Sequence, residues 1–464
     1  MMASSIELDR FYSEEVEFPP RLLASYINTA KSEVDTLLAG MRSIQRPNID
    51  PSIQYHIVPT GSSYEGLKVR GDMELDFMII LSHPEFKFIP ITSYYNGYRK
   101  IKAEQRQPQF QLQAATSWGS SSPSHSFEKN FTSNGYLTPL KIYQWFQSLA
   151  DRAVNHNKSK FVKKLVGNFP ARTLILNISP DVEICVDLVP AIYIGKRLFV
   201  VAKPLKTSPN LLLWRLSFSV FEKKILRQLL SSSCHLKALK ILKYLREHDT
   251  RLEETSQFAS GICSYHLKTA SLHLLAQRPD TPEGLHEHLH QLMDFLIKCM
   301  QKRELNHFFM GNPSSLVRDV QVPNSITQGE CHLNLFGDTF MNRSTLSQAR
   351  ERLIRIKRSL PAVIQQHAGP GAIIVAPVYH YNEILHHDDF VSRRPPSFQN
   401  WSNVRGQFAT ASEGDGGSGL WLYSHRCCCL VVCCCCLVGC FCFGLLWILS
   451  TAPSVPTVEA STWE

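Results

Sequence analysis

Apolar residues recur along the chain at two different periods, and the change of period marks its parts. In residues 21–42 (RLLASYINTAKSEVDTLLAGMR) they return every third or fourth position, with Lys31 and Arg42 on other faces, which predicts one long amphipathic helix. After Ile57-Val58 comes a small-residue turn, Gly61-Ser62-Ser63. Glu74 and Asp76 then open the continuous apolar run Phe77-Met78-Ile79-Ile80-Leu81, the pattern of a buried strand. Residues 105–130 are rich in Gln, Ser and Pro without periodicity and predict an insertion loop. Gly135-Tyr136-Leu137 and residues 140–154 predict another helix. Residues 182–194 (VEICVDLVPAIYI) alternate, so Val182, Ile184, Val186 and Leu188 face one way and Glu183, Cys185 and Asp187 the other. Further on, Lys237, Lys240 and Lys243 oppose Leu236, Leu239, Leu242 and Leu245, an amphipathic helix with a lysine row. Residues 393–419, with PPSFQ and EGDGGSG, read as a flexible linker. Residues 427–449 follow as 23 positions without a charge, enough to span a bilayer.

The chemistry begins at the turn and the acids. On a strand, Glu74 and Asp76 point the same way. Two carboxylates on one face of a buried strand repel each other unless a cation sits between them, and magnesium, a hard ion bound by one or two carboxylates plus substrate phosphates, suits that place. The upstream turn offers backbone N–H groups and a hydroxyl to a triphosphate. The residues therefore predict a metal-dependent phosphoryl or nucleotidyl transfer site. Taken singly, a Glu-x-Asp pair also fits the solvated face of an edge strand. Asp187, followed by an apolar run, needs a partner, because an uncompensated buried carboxylate is costly. Either a basic side chain pairs with it or it completes a two-metal site, and the residues alone leave both open. Lys158, Lys160, Lys163 and Lys164 form a basic cluster that reads as a solvated face or as a phosphate contact. His286, His288 and His290 read as part of a solvent-exposed helix, where only His286 and His290 share a face.

Composition narrows the setting. At 464 residues there is room for two or three domains, and a net charge of +9 permits a polyanionic partner. Five acids in the first twenty residues argue against a secretory signal there. Nine of the 14 cysteines lie between Cys427 and Cys442, and none of the others forms a CxxC pair, so the bulk of the chain reads as cytosolic and reduced. His425 and Arg426 precede the apolar segment and no Lys or Arg follows it, which predicts a single-pass membrane protein with the catalytic part in the cytosol. Cys427, Cys428 and Cys429 at that boundary are candidates for S-palmitoylation.

Five ordered motifs, GSSYEGLKV with DMELDFM, CVDLVPAI, WRLSFS and SYHLKT, resemble those of the Mab-21 family of nucleotidyltransferase-fold proteins, and within it the cyclic GMP-AMP synthase-like receptors. The resemblance covers roughly residues 21–360. It implies an α+β, bilobed nucleotidyltransferase fold, with a mixed-sheet catalytic lobe (21–215) and a helical lobe (216–360). Around these the sequence places an N-terminal segment (1–20), a linker (361–426), the transmembrane helix (427–449) and a short tail (450–464). By resemblance, Glu74, Asp76 and Asp187 form the metal triad for Mg2+ or Mn2+, and Gly61 and Ser62 the phosphate turn. Arg215, Ser217, Ser219, Lys243, Ser264 and Tyr265 line the nucleotide pocket, with Tyr265 stacking on a base. The implied activity joins ATP and GTP into a cyclic dinucleotide messenger after nucleic-acid binding. The alternative is a catalytically silent, membrane-anchored interaction protein. Between the SFS and LKYL motifs only Cys234 and His235 stand where the DNA-sensing synthase has a zinc loop, too few for a tetrahedral site, so no structural zinc is expected. Double-stranded RNA, read by shape and phosphates, then joins DNA as a candidate activator. The candidate contacts are Lys31, Arg42, Lys158, Lys160, Lys163 and Lys164.

Overall fold

The computed structural model describes residues 5–368, apart from 46–51, 72, 107–122, 157–158, 169, 204–211, 230–231, 253–256, 278–283, 330 and 338–342. The chain opens with α1 (Ser5–Phe11), a π-helical turn (Tyr12–Val16) and α2 (Pro20–Ile44). Proline is tolerated at the first position of α2, where its missing N–H would have had no helical partner. The buried residues of α2, among them Tyr26, Ala30, Val34, Leu37 and Met41, recur at helical spacing, as the sequence predicts.

Among the described residues, eleven strands build one mixed sheet: β1 (Gln54–Thr60), β2 (Glu74–Ser82), β3 (Phe86–Thr92), β4 (Tyr98–Gln105), β5 (Thr132–Ser133), β6 (Tyr136–Leu137), β7 (Val162–Asn168), β8 (Ala171–Ser179), β9 (Val182–Gly195), β10 (Leu198–Val201) and β11 (Leu213–Ser217). Three helices interrupt this half: α3 (Ser62–Glu65), α4 (Pro123–Phe131) and α5 (Pro139–His156). Beyond β11 the chain is helical, with α6 (Ser219–Gln228), α7 (Cys234–Leu252), α8 (Gln257–Gly261), α9 (Ser264–Gln277), α10 (Leu285–Lys302), α11 (Ser315–Asp319), α12 (Asn324–Thr327) and α13 (Arg343–Ala368). This is the expected α+β architecture, a mixed sheet followed by a helical part.

The long strand β9 organises the sheet. Along one edge it pairs in parallel with β2, and along the other it meets β8 first and β10 later, both antiparallel. The sheet path runs β1-β2-β9-β10-β11-β4-β6-β5. Phe77, Met78, Ile79, Ile80 and Leu81 are all at most 3% exposed, because neighbours cover both faces of β2. Met78, Ile80, Val189, Ala191 and Val201 share one cluster of that core.

Several sequence expectations are corrected. Within the expected insertion loop, residues 123–131 are helical: Phe127 and Phe131 are buried against each other, with Phe127 also packing on His83 and Phe86. Two aromatics four residues apart are enough to anchor a helix whose other positions are polar. Tyr136-Leu137 is a strand, and the helix after it starts at Pro139. His288 is buried, its ring edge-on to His235 at 4.5 Å, so that face of α10 packs inward rather than toward solvent. The last helix runs through Leu360 to Ala368. The expected transmembrane segment 427–449, its linker from 369 onward and Cys427, Cys428 and Cys429 lie outside the described residues. Among the described residues, no helix is long and apolar enough to cross a membrane.

Candidate metal and nucleotide site

Strand register places three carboxylates at one level. Asp76 of β2 lies opposite Asp187 of β9, Thr60 of β1 opposite Asp76, and Thr173 of β8 opposite Asp187. Glu74 shares the Asp76 face by strand alternation. The carboxylate oxygens of Glu74, Asp76 and Asp187 all lie within 4.8 Å of one another. At that separation and an effective dielectric of about 20, two unit charges repel by roughly 3 kcal/mol.

Asp187 is 0% exposed. Burial raises its carboxyl pKa, with the Thr173 hydroxyl and the Glu74 carboxyl as smaller opposing influences. Thr173 donates to Asp187 Oδ1 at 2.5 Å, whereas Asp187 Oδ2 is buried without a hydrogen-bond partner. A buried carboxylate oxygen lacking a donor, beside two more acids, fits a hard divalent cation with oxygen ligands. The alternative left open by the residues, a basic partner for Asp187, is not what the register brings to it.

The turn sits against these acids. Gly61 has φ +78°, a left-handed conformation, and a Cβ placed there would stand 1.9 Å from Asp76 Oδ2. Only glycine lets the backbone come this close to the carboxylate. Ser62 then begins α3. Ser62, Lys243 and Ser264 line one small cavity, together with Glu65, Lys240 and Lys268. Three of the residues assigned by resemblance to the nucleotide therefore meet at one place, though they come from α3, α7 and α9.

The others lie nearby. Ser217 and Ser219 face each other at 3.2 Å, next to the Met78 sulfur. Arg215 is half-buried on β11, between β10 and β4. Tyr265 is buried, its phenol 2.8 Å from Nε2 of His307. His307 Nδ1 accepts the Phe309 N–H at 3.2 Å, so Nε2 carries the proton and donates to the phenol oxygen. Burial first, then the nearby Arg215 charge, lowers the His307 pKa to about 3, which keeps the ring neutral.

The lysine row is not a solvated face. Lys240 and Lys243 are 9% and 5% exposed. Lys240 donates to the Tyr12 hydroxyl at 2.8 Å, Lys237 pairs with Asp9 at 2.7 Å, and both ammonium groups lie over the Tyr12 ring. The N-terminal segment thus engages two of the three lysines and leaves Lys243 directed at the cavity, 3.5 Å from the Leu67 carbonyl. The candidate nucleic-acid contacts are dispersed. Lys31 pairs with Asp35 at 2.7 Å on the exposed side of α2, and Arg42 lies over the Tyr55 ring. Lys160 lies over Phe161, and Lys163 pairs with Glu183. Lys164 lies on β7, while Lys158 lies outside the described residues.

Sequence reasoning missed Thr173, His307, Glu65, Glu222 and Lys268. Thr173 and His307 stand in no motif, and only strand register and loop packing bring them in. Glu65 and Lys268 stand inside the GSSYEGLKV and SYHLKT motifs, but nothing along the chain pairs them.

A family model described as the Mab-21 protein nucleotidyltransferase domain matches residues 63–228, and one described as the Mab-21 protein HhH/H2TH-like domain matches residues 234–322. Together they take in more than half of the chain. The chain is 29% identical over 253 residues to the inositol 1,4,5-trisphosphate receptor-interacting protein of Danio rerio, covering 50% of this chain and 44% of that protein. It is 30% identical over 232 residues to cyclic GMP-AMP synthase-like receptor 3 of Stylophora pistillata, covering 46% and 60%. Against cyclic GMP-AMP synthase of Mus musculus it is 27% identical over 298 residues, covering 54% of each. The chain thus spans less than two thirds of the length of each of these relatives.

Proposed function

The chain belongs to the Mab-21 family, and on that premise we propose that it is a metal-dependent nucleotidyltransferase that joins ATP and GTP into a cyclic dinucleotide. One observation carries the reading: Glu74, Asp76 and Asp187 converge within 4.8 Å, with a buried Asp187 oxygen that no hydrogen bond satisfies. Glu74, Asp76 and Asp187 would hold Mg2+ or Mn2+. When bound, such an ion neutralises charge on the attacking and leaving oxygens of the phosphoryl group.

The chain's own residues do the rest. Gly61 brings the turn against Asp76, so that phosphate held by the turn N–H groups and the Ser62 hydroxyl lies beside the acids. Lys243 and Ser264 line the same cavity and supply a cation and a hydroxyl to the donor triphosphate. Arg215, Ser217, Ser219 and Tyr265 form the base-facing wall, with Tyr265 held by His307. Residues 21–215 carry the metal site, residues 216–360 close over it, and residues 427–449 anchor the protein to a membrane with the catalytic lobe in the cytosol. Double-stranded RNA or DNA is the activator, bound at Lys31, Arg42 and the basic residues 158–164. The named similarity to cyclic GMP-AMP synthase and to a synthase-like receptor supports this substrate class.

A second reading is supported by the similarity to an inositol 1,4,5-trisphosphate receptor-interacting protein. In this second reading the fold of the present chain serves as a membrane-anchored binding module and makes no product. The purified full-length protein in detergent, incubated with labelled ATP and GTP, Mg2+ or Mn2+, and a panel of DNA and RNA duplexes, separates the two. A cyclic dinucleotide identified by mass spectrometry is the expected result. Absence of any nucleotide product across the panel overturns the enzyme reading in favour of the binding module.

A further inference from the structure

Beside the Gly61–Ser62 turn, on the lining of the cavity that Ser62, Lys243 and Ser264 share, a lysine lies between two carboxylates. Lys268 Nζ is 3.1 and 3.0 Å from the two carboxylate oxygens of Glu65 and 2.5 Å from Glu222 Oε2. The three side chains are 3%, 1% and 4% exposed. They come from three elements: Glu65 closes α3, Glu222 lies on α6 and Lys268 on α9.

The turn itself is too short to hold its own shape. A four-residue helix stands at the costly nucleation stage of helix formation, so its geometry must come from what grips it. On one side the grip is the acid site. Gly61 abuts Asp76, and both Ser63 Oγ and Lys68 Nζ donate to the Glu74 carbonyl. On the other side it is the helical lobe. Arg227 donates to the Tyr64 carbonyl at 2.9 Å and Lys223 to the Pro59 carbonyl at 2.9 Å, both from α6. Between these, the Glu65–Lys268–Glu222 cluster is the charged tie through the interior.

We propose that Lys268 is a positioning residue, which sets the Gly61–Ser62 turn against the acid triad by holding Glu65 while Glu222 anchors the same ammonium to α6. The phosphate consequence rests on the nucleotidyl-transfer reading, but the tie itself does not. Burial raises the Glu65 pKa, with Lys268 as the leading opposing influence and Lys243 a lesser one. A cluster that only filled space would be replaceable by neutral side chains of similar size, since a buried ion pair often contributes little net stability over such a replacement.

The test compares the wild-type full-length protein with Lys268→Met and with the triple variant Glu65→Gln, Glu222→Gln, Lys268→Met, which removes the three charges of the cluster together. Native-state hydrogen exchange at residues 62–65 is read alongside melting temperature and the affinity for ATP with Ca2+ in place of a catalytic ion. In the triple variant the expected result is a melting temperature near wild type, exchange at residues 62–65 at least tenfold faster with β2 and β9 unchanged, and at least tenfold weaker Ca2+–ATP binding. Wild-type exchange at the turn in a well-folded triple variant overturns the proposal. Failure of the wild-type protein to bind Ca2+–ATP counts against the nucleotide reading instead, and the exchange comparison still decides the tie. If Lys268→Met alone does not fold, the triple variant carries the comparison.

Discussion

Two charged clusters adjoin one turn, and they are built differently. Glu74, Asp76 and Asp187 bring three carboxylates within 4.8 Å of one another, and Asp187 Oδ2 is buried without a hydrogen bond. Glu65 and Glu222 bring two carboxylates together around a lysine that the chain supplies itself. The second cluster carries its own countercharge and serves to hold elements together. The first gathers three acids around a buried oxygen that no donor reaches, an arrangement that fits a hard divalent cation.

The comparison breaks most visibly at Asp187. Replacing it with Asn removes charge from a position where charge is unfavourable without an ion. Product formation should fall by about 10³-fold or more, the scale of losing a preorganised electrostatic contact to a transition state. The ion-free protein should melt no lower than wild type, because the Thr173 hydroxyl can still donate to the amide oxygen. Wild-type product formation, or a large drop in melting temperature without metal, would show that Asp187 is structural. By contrast, Lys268→Met alone leaves Glu65 and Glu222 buried without their partner, and chemical denaturation should show a loss of about 3–5 kcal/mol.

The pH dependence sharpens the contrast. The Asp187 pKa is raised in the folded protein, so this group's favourable contribution is present at low pH and is lost as pH rises through its folded value. A divalent ion displaces that proton and supplies the missing charge. The rise in melting temperature on adding Mn2+ should therefore be larger at pH 7.5 than at pH 5, as read by calorimetry at both values. An equal rise at both, or the same rise in Asp187→Asn, would place the ion elsewhere. The smallest effect should be Glu222→Gln. Its amide oxygen still accepts from Lys268, so stability should change by less than about 1 kcal/mol. A loss as large as that of Lys268→Met would mean that both carboxylates are needed as charges.

Much of this site was readable along the chain because its parts are local. The turn, the acids one residue apart and the buried run after them fall within one short stretch, and strand alternation puts Glu74 and Asp76 on one face whatever surrounds them. The lysine row on α7 was readable as a row but not as to its environment. Tyr12, Asp9 and Glu17 come from the far end of the chain to meet it, and no periodicity within α7 announces them. The helix at residues 123–131 was hidden for a similar reason, since its two buried phenylalanines gain their meaning from His83 and Phe86.

The sequence by itself therefore determined the alternating and helical faces, the order of turn and acids, and the glycine that the turn requires, because each follows from backbone geometry between near neighbours. Only the tertiary structure decided whether Asp187 would meet a basic side chain or two more acids, and whether Lys268 would be solvated or enclosed. Strand register between β2 and β9 settled the first, and the packing of α3, α6 and α9 settled the second. A carboxylate or an ammonium carries the same charge in any sequence. What it does depends on how far it is from water and which charge stands opposite, and both are set by contacts between residues distant along the chain.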